Sequence, residues 1–266
     1  MRRGSFNRSE RPTRRPGLTP GGGPVSGLAL AVVGASGRAG ASTLAAACAV
    51  VAADVGVATV ALDLQPGGPG LDALLGVEHR PGLRWADLTG VEGGVDGPAL
   101  LQRLPRCGEL AVLSHGRDGD PVPSVEQVAA VVCGLRAGAE LLVLDLWRGH
   151  ALTGAHAVGL RDGDVGVLLA EATPLALAAL RATAAGLAAA LPDTYVLLRG
   201  GATARAFLGD VQEALDLPVL GCLGEDLAAA RDLARGRPPG RLAGPVRDRA
   251  ADLLSIVLPG RARVAS

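Results

Sequence analysis

Short apolar runs alternate with longer segments of helical pattern from residue 28 to residue 258, and this alternation constrains the fold more than any other feature. The apolar runs are 28–33, 57–63, 110–114, 140–146, 165–170, 195–199 and 218–221, and the helical segments are 42–55, 124–136, 175–191, 203–215, 227–235 and 246–258. Uninterrupted apolar runs of this length are typical of parallel strands that are buried on both faces. The pattern therefore predicts an α/β fold of three layers, with helices on both faces of a mostly parallel sheet of about seven or eight strands.

The N-terminal segment differs in composition from the rest of the chain. Residues 1–26 are rich in Arg, Pro, Gly and Ser, and the first 20 of them carry six arginines against one acidic residue. A segment with so little apolar surface cannot form a core, so we predict a disordered basic tail at 1–26 that is able to touch an anionic surface. We predict one folded domain at 27–258 and a short C-terminal tail at 259–266.

Several classes of protein are excluded by features that the sequence lacks. The longest apolar stretch, 44–53, is much shorter than the roughly 20 residues that a membrane-spanning helix needs, so we expect no transmembrane segment and a cytoplasmic location. All 26 basic residues are arginines, which excludes a Schiff base, a lysine general base and a P-loop lysine within this chain. The cysteines Cys48, Cys107, Cys133 and Cys222 form no C-x-x-C pair, so neither a disulfide framework nor a tightly bound metal is expected. All of them except Cys107 lie in apolar runs, which predicts burial.

A glycine-rich loop, G-A-S-G-R-A-G-A-S-T at 34–43, follows the first apolar run. Because ligands of parallel sheets bind at the carboxyl ends of the strands, this loop is the leading candidate for a binding site. The phosphate-binding P-loop has the pattern G-x-x-x-x-G-K-[ST], in which backbone N–H groups surround the phosphates and the last hydroxyl ligates Mg²⁺. Gly40, Ala41 and Ser42 take the positions of its second glycine, its lysine and its hydroxyl residue. The candidate nucleotide-binding residues are Gly34, Ser36, Gly37, Arg38, Ala39, Gly40, Ala41, Ser42 and Thr43.

The same loop also fits a dinucleotide-binding fingerprint, because G-A-S-G-R-A-G has the spacing G-x-x-G-x-x-G. In that interpretation Asp63, at the end of the second apolar run, would hold a ribose. A reductase of the short-chain type would also need a tyrosine and a lysine acting together, and the chain has Tyr195 but no lysine. A module that binds NAD(P) without catalysis therefore remains an alternative.

Acidic residues at the ends of two further apolar runs favour the phosphate-binding interpretation. Asp63 opens the segment D-L-Q-P-G-G-P-G, and Asp145 lies near the end of the run L-L-V-L-D-L at 141–146, as the acid of a Walker B strand does. A carboxylate in that position is able to reach Mg²⁺ through a water molecule. We therefore predict that Ser42 and Asp145 would hold Mg²⁺.

Together these motifs resemble the MinD/ParA family of deviant-Walker P-loop ATPases over roughly 27–240. The likeness is strongest to the CpaE-like subgroup, which includes the actinobacterial septum-site-determining (Ssd) proteins. Loops of the form G-x-x-G-x-x-G-A-S-T, a segment like G-L-R-W-A-D-L at 82–88 and a strand end like D-L-W-R at 145–148 are familiar in that subgroup. The resemblance implies a P-loop NTPase-like fold for the domain.

The resemblance also implies which functional groups of the family are missing here. The family's signature lysine falls at Ser36, and its P-loop lysine falls at Ala41. The acid that positions the attacking water falls at Gln65, which with Asp63 would form the switch region. The asparagine that contacts adenine in the family falls near 198–199 and is absent.

Three oxygen-bearing residues of the family's site are kept, as Ser42, Asp63 and Asp145. The resemblance implies that these three would hold Mg²⁺, and that the ion and ATP would be bound weakly. Phosphoryl transfer needs positive charge on the phosphate oxygens, and the loss of one such donor costs about 10²–10³ in rate. Because both lysines are missing, we assign no catalytic residue. Arg38 within the loop and Arg148 after the Walker B acid are the two arginines that we consider as sources of replacement charge.

The resemblance implies a regulatory protein that acts in septum-site placement or in Flp/Tad pilus-type secretion. Such a protein would bind protein partners of the division or secretion machinery, would be able to form a homodimer, and would keep ATP and Mg²⁺ as weak or vestigial ligands. A slow Mg²⁺-dependent ATPase that dimerises on ATP, with Arg38 in place of lysine, is the alternative within the same family. The NAD(P)-binding module is the alternative from another class.

Overall fold

The structure, a computed structural model, describes residues 27–37, 39–66, 70–90, 94–116 and 121–259. The predicted tail at 1–26, all but the first residue of the predicted tail at 259–266, and Arg38 lie outside these residues. The described strands are β1 (Leu28–Gly34), β2 (Thr59–Leu64), β3 (Arg106–Cys107), β4 (Leu110–Leu113), β5 (Leu141–Leu146), β6 (Val165–Glu171), β7 (Thr194–Arg199) and β8 (Val219–Leu223).

These strands form one eight-stranded sheet in the order β3-β4-β2-β5-β1-β6-β7-β8. Every pairing is parallel except that of the two-residue strand β3, which runs antiparallel to β4 at one edge. The prediction of a mostly parallel sheet of seven or eight strands is therefore confirmed. The central position of β1, between β5 and β6, puts the glycine loop that follows it in the middle of one edge of the sheet.

Helices cover both faces of the sheet, as predicted. They are α1 (Ala41–Asp54), α2 (Leu71–Leu75), α3 (Gly97–Arg103), α4 (Val125–Leu135), α5 (Arg148–Thr153), α6 (Pro174–Ala190), α7 (Ala202–Ala206), α8 (Leu208–Leu215), α9 (Leu227–Leu233) and α10 (Pro245–Val257). Because successive side chains of a strand point to opposite faces, β1 contributes Ala31 and Val33 to one core and Leu30 and Val32 to the other. The first core lies against α4 and α6, and the second lies against α1 and α10.

The predicted helix over 203–215 is interrupted in the structure. α7 ends at Ala206 and α8 begins at Leu208, with Phe207 between them and Gly209 directly after the break. Glycine is a poor helix former, so the sequence around Gly209 favours such an interruption.

Asp226 caps the N-terminus of α9, because its Oδ1 accepts a hydrogen bond of 2.8 Å from the backbone N–H of Ala229.

The burial predicted for the cysteines is correct only in part. Cys48 is buried within α1 and Cys222 is half-buried, but Cys133 is exposed. The prediction for Cys133 is wrong because α4 is amphipathic: Val128, Val132 and Leu135 face the core, and Cys133 lies on the opposite side. Within the part of the chain that the structure describes, no helix combines the length and the apolar character that crossing a membrane requires.

Candidate functional site

The glycine loop borders a cleft at the point where the connections of the sheet diverge. From β1 the chain passes through α1 to β2 on one side, whereas β5 is followed by β6 on the other side of β1. Loops that leave the carboxyl ends of strands at such a point separate and create a binding crevice. The volume of this cleft is about 730 Å³, which is typical of small-molecule sites. It is lined by Gly34, Ser36, Gly37, Ala39, Gly40, Ala41, Ser42, Thr43, Gln65, Pro66, Ala73, Leu74, Trp147, Arg148, Arg199 and Leu233.

Backbone geometry shapes the loop for contact with an anion. Gly40, the residue before α1, has a φ of +89°, which is a left-handed conformation that favours glycine. The N–H groups of the first helical turn have no partner within the helix, and Ala41, Ser42 and Thr43, which carry them, line the cleft. A helix N-terminus with such N–H groups attracts phosphate through its dipole and its donors.

Ser36 adds a buried hydroxyl to the wall of the cleft. Its Oγ has no hydrogen-bond partner among the residues that the structure describes. Buried polar atoms in folded proteins are nearly always hydrogen-bonded, so an unpaired hydroxyl at the wall of a cleft suits an oxygen of a bound ligand or of water. This is the position at which the resemblance puts the signature lysine.

Asp145 is buried behind Ser42 and Gln65, which line the cleft, and is only 1% exposed. Its carboxylate accepts a hydrogen bond from the Ser42 hydroxyl and another, of 3.0 Å, from Nε2 of Gln65. Burial raises the pKa of Asp145 to about 6, although both hydrogen bonds act in the opposite direction. The structure therefore brings together the predicted hydroxyl, the predicted Walker B acid and the predicted switch residue Gln65.

Asp63 lies beside Asp145 on the neighbouring strand, where the two residues are register partners. Its carboxylate oxygens accept backbone N–H hydrogen bonds of 3.0 Å from Gln65 and 2.8 Å from Leu71. Burial is also the main cause that raises the pKa of Asp63 to about 6, and the charge of Asp72 adds to the effect. Asp63 thus organises the turn that leads into α2 and, like Asp145, is buried behind the residues that line the cleft.

The residues around Asp145 fit Mg²⁺ only as a shared site. Mg²⁺ prefers oxygen ligands and usually combines one or two protein groups with water and substrate phosphates. The Ser42 hydroxyl and the Asp145 carboxylate are adjacent oxygen donors of that kind. Among the described residues, no cluster of three or more His, Cys, Asp and Glu side chains could hold a metal by itself. An ion here would need ligand oxygens to complete its coordination.

The resemblance puts an adenine contact near position 199, but it does not indicate that an arginine there lies against the glycine loop. Arg199 ends β7, and its Nη1 lies 3.2 Å from the position that a Cβ on Gly40 would occupy. The guanidinium therefore rests against the glycine loop, although the two residues are far apart in sequence. The available signal is positional, because β7 ends at the same edge of the sheet as β1 with only β6 between them.

Trp147 and Arg148 also line the cleft, directly after β5. Trp147 is 44% exposed, and its ring meets that of His150 edge-on, with 5.5 Å between the centroids. Arg148 donates a hydrogen bond of 3.0 Å from Nη1 to the carbonyl oxygen of Ala35. The end of β5 thus contributes both an aromatic surface and a cation next to the loop.

Comparisons with known proteins find both sequence relatives and structural neighbours. No family model matches the chain. Two proteins of Mycobacterium tuberculosis, named Uncharacterized protein Rv3660c and Uncharacterized protein MT3760, are each 34% identical to it over 212 residues, which is 80% of this chain. The chain spans 59% of the length of these curated relatives.

Several solved structures are similar to this chain along most of its length. A ParA family ATPase from Chlorobium tepidum gives a TM-score of 0.68 at 16% identity, over 85% of this chain and 98% of that chain. MinD complexed with Mg-ADP from Pyrococcus horikoshii gives 0.65 at 13% identity, over 89% and 99%. A chain of the MinC:MinD cell division protein complex from Aquifex aeolicus gives 0.65 at 18% identity, over 86% and 96%. The chain has the MinD/ParA ATPase fold. The predicted P-loop NTPase-like fold is confirmed.

Proposed function

We propose that the chain is a CpaE/Ssd-like regulatory member of the MinD/ParA family. It works by binding protein partners, and its binding of ATP is weak or vestigial. The observation that carries this proposal is a phosphate cradle without its lysines, in which Ser36 and Ala41 line the cleft beside Gly40. Backbone amides at a helix N-terminus are enough to hold a phosphate. Rapid hydrolysis, in contrast, needs cationic groups and a positioned water at the bond that breaks.

Two further observations support an adenine nucleotide with Mg²⁺ as the ligand. The Ser42 hydroxyl and the Asp145 carboxylate are hydrogen-bonded beneath the loop, which suits a Mg²⁺ ion shared with phosphate oxygens. A structural neighbour named as MinD complexed with Mg-ADP carries a nucleotide with Mg²⁺, and one named as a complex of a Cyanothece McdA variant with ATP carries an adenine nucleotide. In this chain Gln65 takes the position of the water-positioning acid, so we expect binding without appreciable turnover.

The regulatory role itself is septum-site placement or Flp/Tad pilus-type secretion, in the cytoplasm. A structural neighbour is named as a complex of MinD with MinC, a second cell division protein, which supports action through a protein partner.

The proposal is tested by calorimetric titration of the full chain with ATP, ADP and NAD, each with and without Mg²⁺. We expect weak ATP and ADP binding that needs Mg²⁺, is lost in Ser42→Ala, and is accompanied by no phosphate release above background. Gly37→Asp checks that the ligand lies in the cleft, because no atom of the described residues beyond the chain neighbours lies within 4 Å of a Cβ at this position and the added carboxylate would repel phosphate. Gly37→Ala is the matched control.

The other outcomes separate the alternatives. Phosphate release that is abolished in both Ser42→Ala and Asp145→Ala would contradict the proposal in favour of a slow ATPase. NAD binding that ignores Mg²⁺ and is lost in Asp63→Ala would favour the dinucleotide-binding module. If no nucleotide binds at millimolar concentration, the ligand part of the proposal falls and only partner binding by the fold remains.

A further inference from the structure

We propose that two arginines from outside the glycine loop, Arg148 and Arg199, replace the missing lysines and clamp a ligand with two or more linked phosphates. The inference rests on the proposed function, since it concerns the same cleft, and it adds the cationic residues and the group that they recognise. Neither arginine is part of the P-loop pattern. Each reaches the loop from the end of a different strand.

Arg148 holds the beginning of the loop. It begins α5, directly after Trp147, and its Nη1 donates to the carbonyl oxygen of Ala35 at 3.0 Å. A guanidinium has five N–H donors, and this hydrogen bond uses one of them. The side chain is otherwise exposed at the wall of the cleft, so the remaining donors are within reach of a ligand.

Arg199 lies against the end of the loop. Its Nη1 would be 3.2 Å, and its Cζ 3.9 Å, from a Cβ built on Gly40. Arg199 also lines the cleft, beside the first turn of α1 that follows Gly40. The two guanidinium groups therefore contact the loop at its first and last residues in sequence, Ala35 and Gly40. These two ends are close in space, because a Cβ on Gly34 would lie 3.4 Å from the Cβ of Ala41. A ligand with linked phosphates that is held by the loop would present oxygens to both arginines.

The charge distribution of the cleft agrees with this assignment. Arg148 and Arg199 are the charged side chains among the described residues that line it, whereas Asp63 and Asp145 are buried beneath the wall. Guanidinium groups bind phosphate oxygens with paired hydrogen bonds, which makes arginine a strong phosphate ligand. The buried Oγ of Ser36, which lacks a partner in the described part of the chain, supplies a further group for an anionic oxygen.

The test is calorimetric titration of the full chain, in the presence of Mg²⁺, with ATP, ADP, AMP and inorganic tripolyphosphate. We expect Arg148→Ala and Arg199→Ala each to weaken the binding of ATP and of tripolyphosphate by roughly tenfold to a hundredfold, as for the loss of a charged hydrogen-bond donor. AMP, with a single phosphate, should bind more weakly than ADP to the wild-type chain. Arg199→Lys keeps the positive charge but loses the paired N–H donors of the guanidinium, so it should give an intermediate affinity.

Arg181→Ala is the control for the loss of one positive charge, because Arg181 is exposed on α6 and does not line the cleft. Circular dichroism and the unfolding midpoint of each variant show whether it folds like the wild type. If ATP binds and Gly37→Asp abolishes binding, but the two arginine variants bind as tightly as the wild type, the inference is overturned and the proposed function stands. If the wild-type chain binds none of the probes, the inference and the nucleotide part of the proposed function fall together. If the wild-type chain binds ATP but not tripolyphosphate, the phosphate chain is not the recognised group and the inference is overturned.

Discussion

Nε2 of Gln65 donates one hydrogen bond of 3.0 Å to Oδ1 of Asp145 and another of 3.2 Å to the carbonyl oxygen of Leu146. Asp145 also accepts a hydrogen bond from the Ser42 hydroxyl. The amide of Gln65 is therefore a donor that stabilises a buried carboxylate, at the position where the resemblance expects an acid that orients water. This contact ties the end of β2 to the end of β5 and gives Gln65 a structural reason to be uncharged.

Gln65→Glu should therefore destabilise the fold in a pH-dependent way. The variant replaces a donor to Asp145 with a second carboxylate, and two ionised carboxylates at this distance repel each other. We expect the free energy of unfolding to fall by about 1–3 kcal/mol near about pH 8 and by much less near about pH 5, where one carboxyl is protonated. Urea unfolding at the two pH values measures the difference. Gln212→Glu, at an exposed position on α8, is the matched control, and an equal loss at both pH values would contradict the prediction.

The buried carboxylates make the stability of the wild-type chain depend on pH. Burial raises the pKa of Asp145 and of Asp63 from 3.8 to about 6. The folded state therefore binds more protons than the unfolded state between these values, so stability falls as the pH rises from about 4 to above 6. Asp145→Asn keeps an acceptor for Ser42 and removes one of the two titrations. We expect it to be more stable than the wild type by up to about 3 kcal/mol near about pH 8 and not near about pH 4.

The measurement is the urea unfolding midpoint of wild type and Asp145→Asn across this pH range, without Mg²⁺. Because the other titrating groups are the same in both proteins, the difference between the two curves reports the Asp145 carboxyl together with its charge interaction with Asp63. Two parallel curves would show that burial does not raise its pKa in the folded protein. A difference that opens between about pH 4 and about pH 6 is the expected result.

The sequence predicts the elements that carry strong periodic patterns. β1, α1 and β5 are found within two residues of the predicted bounds, because long apolar runs and glycine boundaries leave little choice of structure. The proximity of Asp63 and Asp145 also follows from sequence, since the carboxyl ends of neighbouring parallel strands meet at one edge. The predicted P-loop region therefore lies where the structure has its cleft.

Contacts that depend on tertiary packing could not be predicted in the same way. The short helices α2 and α3 carry too few residues for a periodic signal, and α3 packs so closely on α4 that a Cβ at Gly97 would lie within 3 Å of the backbone of Gly134. The position of Arg199 depends on the order of β6 and β7 in the sheet, which no local pattern contains. The roles of Gln65 and Asp63 depend on single hydrogen bonds to a neighbouring strand and to the following turn.

A buried ion pair lies at the edge of the sheet opposite the cleft, and its loss should lower the free energy of unfolding more than the loss of an exposed ion pair. Asp164 accepts hydrogen bonds from Nη1 and Nη2 of Arg136 at 3.0 and 2.6 Å, and from the backbone N–H groups of Ala29 and Arg161. Asp164→Ala leaves the Arg136 guanidinium buried without its partner, so we expect a loss of about 3–5 kcal/mol in the free energy of unfolding. Urea unfolding near neutral pH measures it.

Asp252→Ala is the comparison for that prediction. The Asp252 side chain is 63% exposed and pairs with Arg249 three residues earlier on α10. Exposed pairs of this kind contribute less than about 1 kcal/mol. Similar losses for Asp164→Ala and Asp252→Ala would mean that the buried pair does not hold the N-terminal end of β1 in the way that its hydrogen bonds indicate.

The two tryptophans provide an optical test of where a ligand binds. Trp85 is 1% exposed and donates a hydrogen bond of 2.7 Å from Nε1 to the carbonyl oxygen of Asp63, whereas Trp147 is 44% exposed at the wall of the cleft. Because indole emission depends on contact with water, a phosphate ligand in the cleft should change the emission of Trp147 and leave that of Trp85 unaltered. We expect titration of the wild-type chain with Mg-ATP to change the fluorescence and the same titration of Trp147→Phe to give no change. A fluorescence change that persists in Trp147→Phe would come from Trp85 and would contradict the prediction. The ligand would then either bind outside the cleft or alter the end of β2, where Trp85 is hydrogen-bonded to Asp63.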